Sequence, residues 1–150
     1  MKNLFESSTA DEVKTRIGRL EPTSARQWGK MSAAQAMAHC ATTMEWAVGD
    51  KNEPRMFLGR LFGPLVKLKV LGDEAPMRRN APTAKTLVIG DERDLAKERQ
   101  RLCALIDRFS AAGPQGCTKH PHTFFGSLTA DEWARLMYKH LDHHLRQFGA

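Results

Sequence analysis

The stretch "TADEWARLMYKHLDHHLRQF", Thr129–Phe148, constrains the fold more than any other part of the chain. A Thr hydroxyl can accept from a free backbone N–H of a first helical turn, and a Glu three residues on can reach back to the Thr N–H. Thr129 and Glu132 have that spacing, so a helix starts at about Ala130 and runs to Phe148. At roughly 100° per residue, Trp133, Leu136, Met137, His140, His144, Gln147 and Phe148 share one stripe, with His143 at its edge. Arg135, Tyr138, Lys139, Asp142 and Arg146 fall on the other side. An apolar stripe of this kind must be covered by another layer of structure. It also carries two imidazoles inward, and a buried polar group without a partner costs roughly 1–3 kcal/mol.

Similar start signals place the remaining helices. "TADE" recurs at Thr9–Glu12, and Ser32 stands three residues before Gln35. These predict helices over 10–20, with Val13, Ile17 and Leu20 inward, and over 33–48, ending at Gly49. A third helix runs from Pro54 towards Val70, with Gly59, Gly63 and Pro64 expected to bend or split it. A long irregular connection follows. Leu95, Leu102, Leu105, Ile106 and Phe109 then mark a helix over 92–112. The pattern is all-α, a single domain over residues 1–150 with four substantial helices and long loops, which favours an antiparallel bundle.

Charge and cysteine content narrow the classes of function. "MKNLFESSTADEVK" has no apolar core of the signal-peptide kind, and no apolar run approaches the roughly 20 residues that span a bilayer. No membrane association is expected. The three cysteines, Cys40, Cys103 and Cys117, are odd in number and form no CxxC, which suits a cytoplasmic protein better than a disulfide framework. Net charge is +6, and residues 55–85 hold seven bases against two acids. Such a segment suits an anionic partner or a solvated face. It lacks the interleaved aromatics that stack on bases, so nucleic acid is not the expected partner.

His140 and His144, spaced i,i+4, can place two ring nitrogens on one ion at about 2.0–2.1 Å. His39 is the one histidine on another predicted helix, where Gln35, Thr42 and Trp46 fall close to its face. Ala34, Ala38 and Ala41 leave room for a neighbouring helix to approach. Together the three histidines make a candidate divalent-metal site with at least one position left for water or substrate. Gln147 is placed to hydrogen-bond a ligand histidine or a bound water. The alternative at each histidine is a satisfied core residue or a wet cleft. His120 and His122, flanking Pro121, read as packing and turn chemistry, and Cys40 lies about 100° round the helix from His39.

The segments "WGKMSAAQAMAHC", "RRNAPT" and "HPHTFFGSLTADEW", with the closing H-x-x-x-H-x-x-Q, resemble the DinB-like (YfiT-like) superfamily of four-helix-bundle proteins. Within it the chain is similar to a branch known only as a domain of unknown function. The resemblance spans nearly the whole chain and is most specific in the last helix. It implies an up-down-down-up bundle and a divalent ion, zinc or nickel, on His39, His140 and His144. It also implies frequent dimers and, in some relatives, transfer chemistry on low-molecular-weight thiols.

Three functions follow as expectations. The first is a metal-dependent transferase or hydrolase acting on a small molecule, a thiol or an anion, with Gln147, Gln35, Arg78 and Arg79 as supporting or substrate-binding groups. No general base stands out, Glu45 and Asp142 being the nearest carboxylates. The second is a non-enzymatic, dimeric helical bundle that binds an anionic partner through residues 55–85. The third is a dimeric bundle whose site is degenerate or serves as a metal store.

Overall fold

The computed structural model describes all residues, 1–150, and the chain is all-helical, with no strand. Five α-helices follow in order: α1 (Ser7–Gly18), α2 (Ala33–Ala47), α3 (Phe57–Leu71), α4 (Leu95–Ala112) and α5 (Ala130–Gln147). Short 3-10 turns sit at Lys85–Leu87 and Gly113–Gly116. No helix is long and apolar enough to cross a membrane.

α2 is the centre of the packing because it is made of small side chains. Ala36, Ala38, Ala41 and Ala47 are fully buried, with Met37, Met44 and Cys40 between them. With so little bulk on its surface, α2 packs against both α4 and α5, and α1 closes the other side against the same two helices. Val13 and Ile17 of α1, Leu102, Ile106 and Phe109 of α4, and Trp133, Leu141 and Leu145 of α5 meet in one core. Burying each such side chain stabilises the fold by about 1.5–3 kcal/mol.

Two of the three capping boxes form. Ser32 with Gln35 and Thr129 with Glu132 each exchange both hydrogen bonds. The third does not. α1 starts at Ser7, earlier than expected, with Glu6 as its N-cap, and Thr9 donates instead to Glu6 Oε2 at 3.0 Å. Leu4 is completely buried and pins the chain just before the helix, so the first turn begins before Thr9 can cap it. Thr9 is itself buried. At the other end, Arg19 caps the helix after Gly18, short of Leu20. α4, by contrast, starts later than expected, at Leu95, because the Asp94 carboxylate caps it through Lys97 N–H.

α3 is neither split nor stopped by Pro64, which lies inside a continuous helix. The helix is held from outside itself. Met56 N–H donates to the Thr123 carbonyl at 2.9 Å, and Lys139 Nζ donates to the Val70 carbonyl at 2.5 Å and the Asp73 carbonyl at 3.0 Å. Those contacts correct the expectation for Lys139 and Asp142 on α5. Both are buried: Lys139 caps the C-terminal end of α3, where an ammonium answers free carbonyls. Asp142 is gripped by Arg16 at 2.9 Å and Arg146 at 2.7 Å.

Candidate metal centre

Each helix lends the site a pair of side chains one turn apart: His39 and Thr43 from α2, His140 and His144 from α5. The capping boxes at Ser32 and Thr129 set where each helix begins, and therefore which way these pairs face. His39 and His144 are buried and His140 partly so. One nitrogen from each ring can be chosen so that all three lie within 4.8 Å of one another. His39 Nε2 and His140 Nε2 are 2.9 Å apart. The ring centroids stand 4.9, 4.7 and 4.7 Å apart.

The outer nitrogens fix the tautomers. His39 Nδ1 lies 2.9 Å from the Leu87 carbonyl, an oxygen that can only accept, so the ring donates Nδ1–H. The Thr43 hydroxyl donates its one hydrogen to the Cys40 carbonyl at 2.8 Å, leaving its oxygen to accept Nδ1–H from His140 at 3.2 Å. Gln147 Nε2 donates to the Trp28 carbonyl at 2.8 Å, which turns Oε1 towards His144 Nδ1 at 2.9 Å. A neutral imidazole carries one proton. All three rings carry theirs at Nδ1, so each Nε2 holds a bare lone pair, with those of His39 and His140 2.9 Å apart inside the cluster. Adjacent nitrogens around a tetrahedral ion at about 2.0–2.1 Å sit roughly 3.4 Å apart. The observed separations bracket that figure, and the donor set suits a divalent transition ion. Nδ1–H held by a carbonyl, hydroxyl or amide oxygen is the usual support for a metal-bound histidine.

Burial drives every ring towards neutrality. It pushes the His144 imidazole down to about 3, with the neighbouring His39 adding to the effect. It holds His140 well below the ordinary histidine range, aided by His144 and His39. His39 is lowered by the same desolvation, against a rise from the Leu87 carbonyl. Neutral imidazole is the form that ligates metal. No free carboxylate reaches the cluster. Burial alone would raise the Glu45 carboxyl, but ion pairs with Lys51 and Arg101 hold it below its usual range.

Comparison with known protein families matches residues 2–150 to one described as a protein of unknown function. The chain belongs to the DUF1569 family. No curated protein and no solved structure matches it.

The other expected site residues of this DUF1569 chain are distributed as follows. Gln35 makes no contact with the cluster: Oε1 closes the capping box on Ser32 N–H, and Nε2 donates to the Asp91 carbonyl at 3.0 Å. Arg79 lies over the Trp28 ring, Cζ 4.2 Å from its centroid, while Arg78 is exposed with no side-chain partner. His143 is half-buried between Trp28, 5.5 Å away by ring centroids, and His144, 5.0 Å away. Trp28 therefore links the support of His144 to Arg79 and His143 at the edge of the pocket. His122 Nδ1 accepts from the backbone N–H of Phe124 and Phe125 at 3.1 and 3.2 Å, so its ring organises a turn. His120 is exposed. The Cys40 thiol is buried and its pKa is pushed up by desolvation, as is that of Cys117, to about 11.

Sequence reasoning missed Thr43, Trp28 and Leu87. Thr43 is four residues from His39 on one helix face, so the spacing was there to read. The other two act through backbone carbonyls, which no side-chain motif encodes.

Gln147→Ala removes the oxygen that orients His144 and leaves the Trp28 carbonyl without its donor. Supporting groups of this kind are worth about 10–100-fold in metal affinity. We expect a loss of that size in a competition titration with zinc. An unchanged affinity would mean that His144 is not a ligand.

Proposed function

We propose that the protein is a metal-dependent enzyme of the DinB-like kind, a four-helix bundle in which α1, α2, α4 and α5 are the bundle and α3 lies in the crossover. His39, His140 and His144 hold one zinc or nickel ion. The observation that carries this reading is the set of three engaged Nδ1–H groups, which leaves three Nε2 lone pairs without a donor in a cluster of rings that has no counter-charge. A merely satisfied core histidine needs one partner on each polar edge. These rings have partners on the outer edges and only each other on the inner ones.

An ion bound there supplies Lewis acidity, favouring the deprotonated form of a thiol or water that reaches it. The chain does the rest. Three neutral ligands would leave a bound ion its full double charge, which would favour an anionic nucleophile. Arg79, held against Trp28, is the group that gathers an anionic substrate at the edge of the pocket, with Arg78 beside it. No carboxylate is free to act as a general base, so a nucleophile that ionises readily fits better than one needing a strong base. A low-molecular-weight thiol has that property, and the reading is thiol transfer to an electrophile, in a cytoplasmic setting.

The test uses protein purified without an affinity tag. Metal analysis is expected to give close to one equivalent, or full uptake on adding zinc or nickel. Glutathione consumption with 1-chloro-2,4-dinitrobenzene is expected to depend on that metal and to stop on chelation. Failure to take up metal ends the whole reading. Uptake with no thiol chemistry ends the transferase assignment and leaves the site.

A further inference from the structure

α3 faces the opposite way to its neighbours. Its buried residues are Gly59, Gly63 and Leu71, while Phe57, Leu65 and Leu68 are 73, 70 and 70 % exposed. Leu58, Leu61 and Phe62 complete the outward face, each more than half exposed. The orientation is fixed rather than loose. Gly59 and Gly63 rest on the backbone of Phe124, where a Cβ on Gly59 would come within 2.6 Å of the carbonyl oxygen. Lys67 pairs with Glu132 at 2.8 Å, and Lys139 grips the far end. The fold spends its small side inward and turns a ridge of large apolar side chains to the outside. A contiguous exposed patch of this kind marks an interaction surface.

Charge selects the occupant. Arg60 lies beside the Phe57 edge of the apolar arc and Lys69 falls between Leu58 and Phe62 in projection, at its C-terminal end, both exposed and neither paired with an acid. The whole segment 55–85 holds seven bases and two acids. Those acids are already engaged, Asp73 with Lys139 at 3.6 Å and Glu74 with the N-terminus at 3.1 Å. A two-fold pairing of α3 with a second copy would bring these unpaired cations together, because isologous contacts repeat the same patch and α3 carries no acid to answer them. A planar anionic surface meets both features at once. A helix of 15 residues is about 22 Å long, too short and too charged to cross a bilayer. An exposed apolar arc of Phe and Leu with unpaired Arg and Lys beside it is instead the pattern of a helix lying in the headgroup region, where a Lys stem can carry its charge up to the phosphates.

We propose that α3 docks flat on an anionic phospholipid surface. Its apolar ridge enters the boundary between headgroups and acyl chains, and Arg60 and Lys69 meet lipid phosphates. This does not depend on the metal site. It departs from the expectation that the protein keeps clear of membranes, which rested on the absence of a spanning segment.

The full chain is tested by flotation with vesicles of phosphatidylcholine alone and with about a third phosphatidylglycerol, at low and moderate salt. Binding is expected to be at least about tenfold stronger to the anionic vesicles and to weaken with salt. Leu61→Asp with Leu65→Asp should abolish it while leaving helical content unchanged, since both side chains are already exposed. Arg60→Glu with Lys69→Glu should cost about tenfold or more on anionic vesicles only, and tests the proposal if the first variant misfolds. Equal binding to both vesicle types, or none, overturns the proposal. So does light scattering that finds a dimer which Leu61→Asp with Leu65→Asp converts to monomer, since the occupant is then a second copy. Selective capture of an acidic protein in place of vesicles has the same force.

Discussion

His140→Ala is expected to leave the protein helical and unable to retain zinc or nickel. His140 Nε2 lies 2.9 Å from His39 Nε2, and His140 stands one turn from His144. Its loss leaves two nitrogens, and the surroundings supply no substitute. His143 lies beside Trp28, His122 is occupied in its turn, and the nearest carboxylates, Glu45 and Asp142, are locked in ion pairs. Zinc bound by four protein ligands is worth about 10–16 kcal/mol, so one ligand averages roughly 3 kcal/mol, or about two orders of magnitude in affinity. Helix α5 survives because its hold on the core comes from Trp133, Leu141 and Leu145, which the substitution does not touch. His143→Ala is the control and should keep the metal within a few-fold. Metal content by elemental analysis and circular dichroism decide the matter. If His143→Ala loses the ion and His140→Ala keeps it, the cluster is not the binding site.

The convergence on His140 was readable because helices are periodic. Two histidines four apart, centred between Met137 and Phe148 on one stripe, must look where the stripe looks, and Trp133 and Leu136 require that to be inward. His39 followed because α2 is so rich in alanine that only a closely packed helix could use it. Other features resisted for definite reasons. Gln35 lies near the His39 face in projection, but a side chain that caps its own helix has no reach left for a site one turn on. Thr42 was chosen over Thr43, yet Thr42 bonds back to the Ala38 carbonyl and Thr43 supports His140. The partners of His39 and Gln147 lie 48 and 119 residues away in sequence, in loops whose course only tertiary packing sets. The direction of α3 was hidden for the converse reason. Periodicity identifies an apolar face but not which neighbour it meets, and here two glycines on the opposite face dock more closely than any leucine could.

The metal-free protein should lose about 3–4 kcal/mol of stability between pH 7.5 and 5.5. His122, His140 and His144 are held neutral by burial, His122 down to about 4 and His144 to about 3, and His39 is lowered by the same cause, whereas in the unfolded chain each titrates near 6.5. Between those values the unfolded state binds more protons than the folded one, so acid favours unfolding. The contribution is fully present above about pH 6.5 and is lost as the pH falls towards the folded values. At pH 5.5 His122, His140 and His144 each cost about 1.4 kcal/mol relative to neutral pH, and the three give about 4, with His39 acting in the same direction. One proton shared across the 2.9 Å contact between His39 and His140 would reduce the total towards 3. The carboxylates held low by ion pairs, such as Glu45 and Asp50, act below about pH 4.5, outside this window. A domain stable by 5–15 kcal/mol would feel the loss as a large fall in its urea midpoint. His144→Gln should flatten the profile by about a third, because glutamine does not titrate. Added zinc should raise stability at pH 7.5 by mass action and lose that effect as protons compete for the nitrogens of His39, His140 and His144. A midpoint that stays constant from pH 7.5 to 5.5 in the metal-free protein would mean that these rings take up protons freely in the folded state. The buried pocket that would make His39, His140 and His144 metal ligands would then not exist.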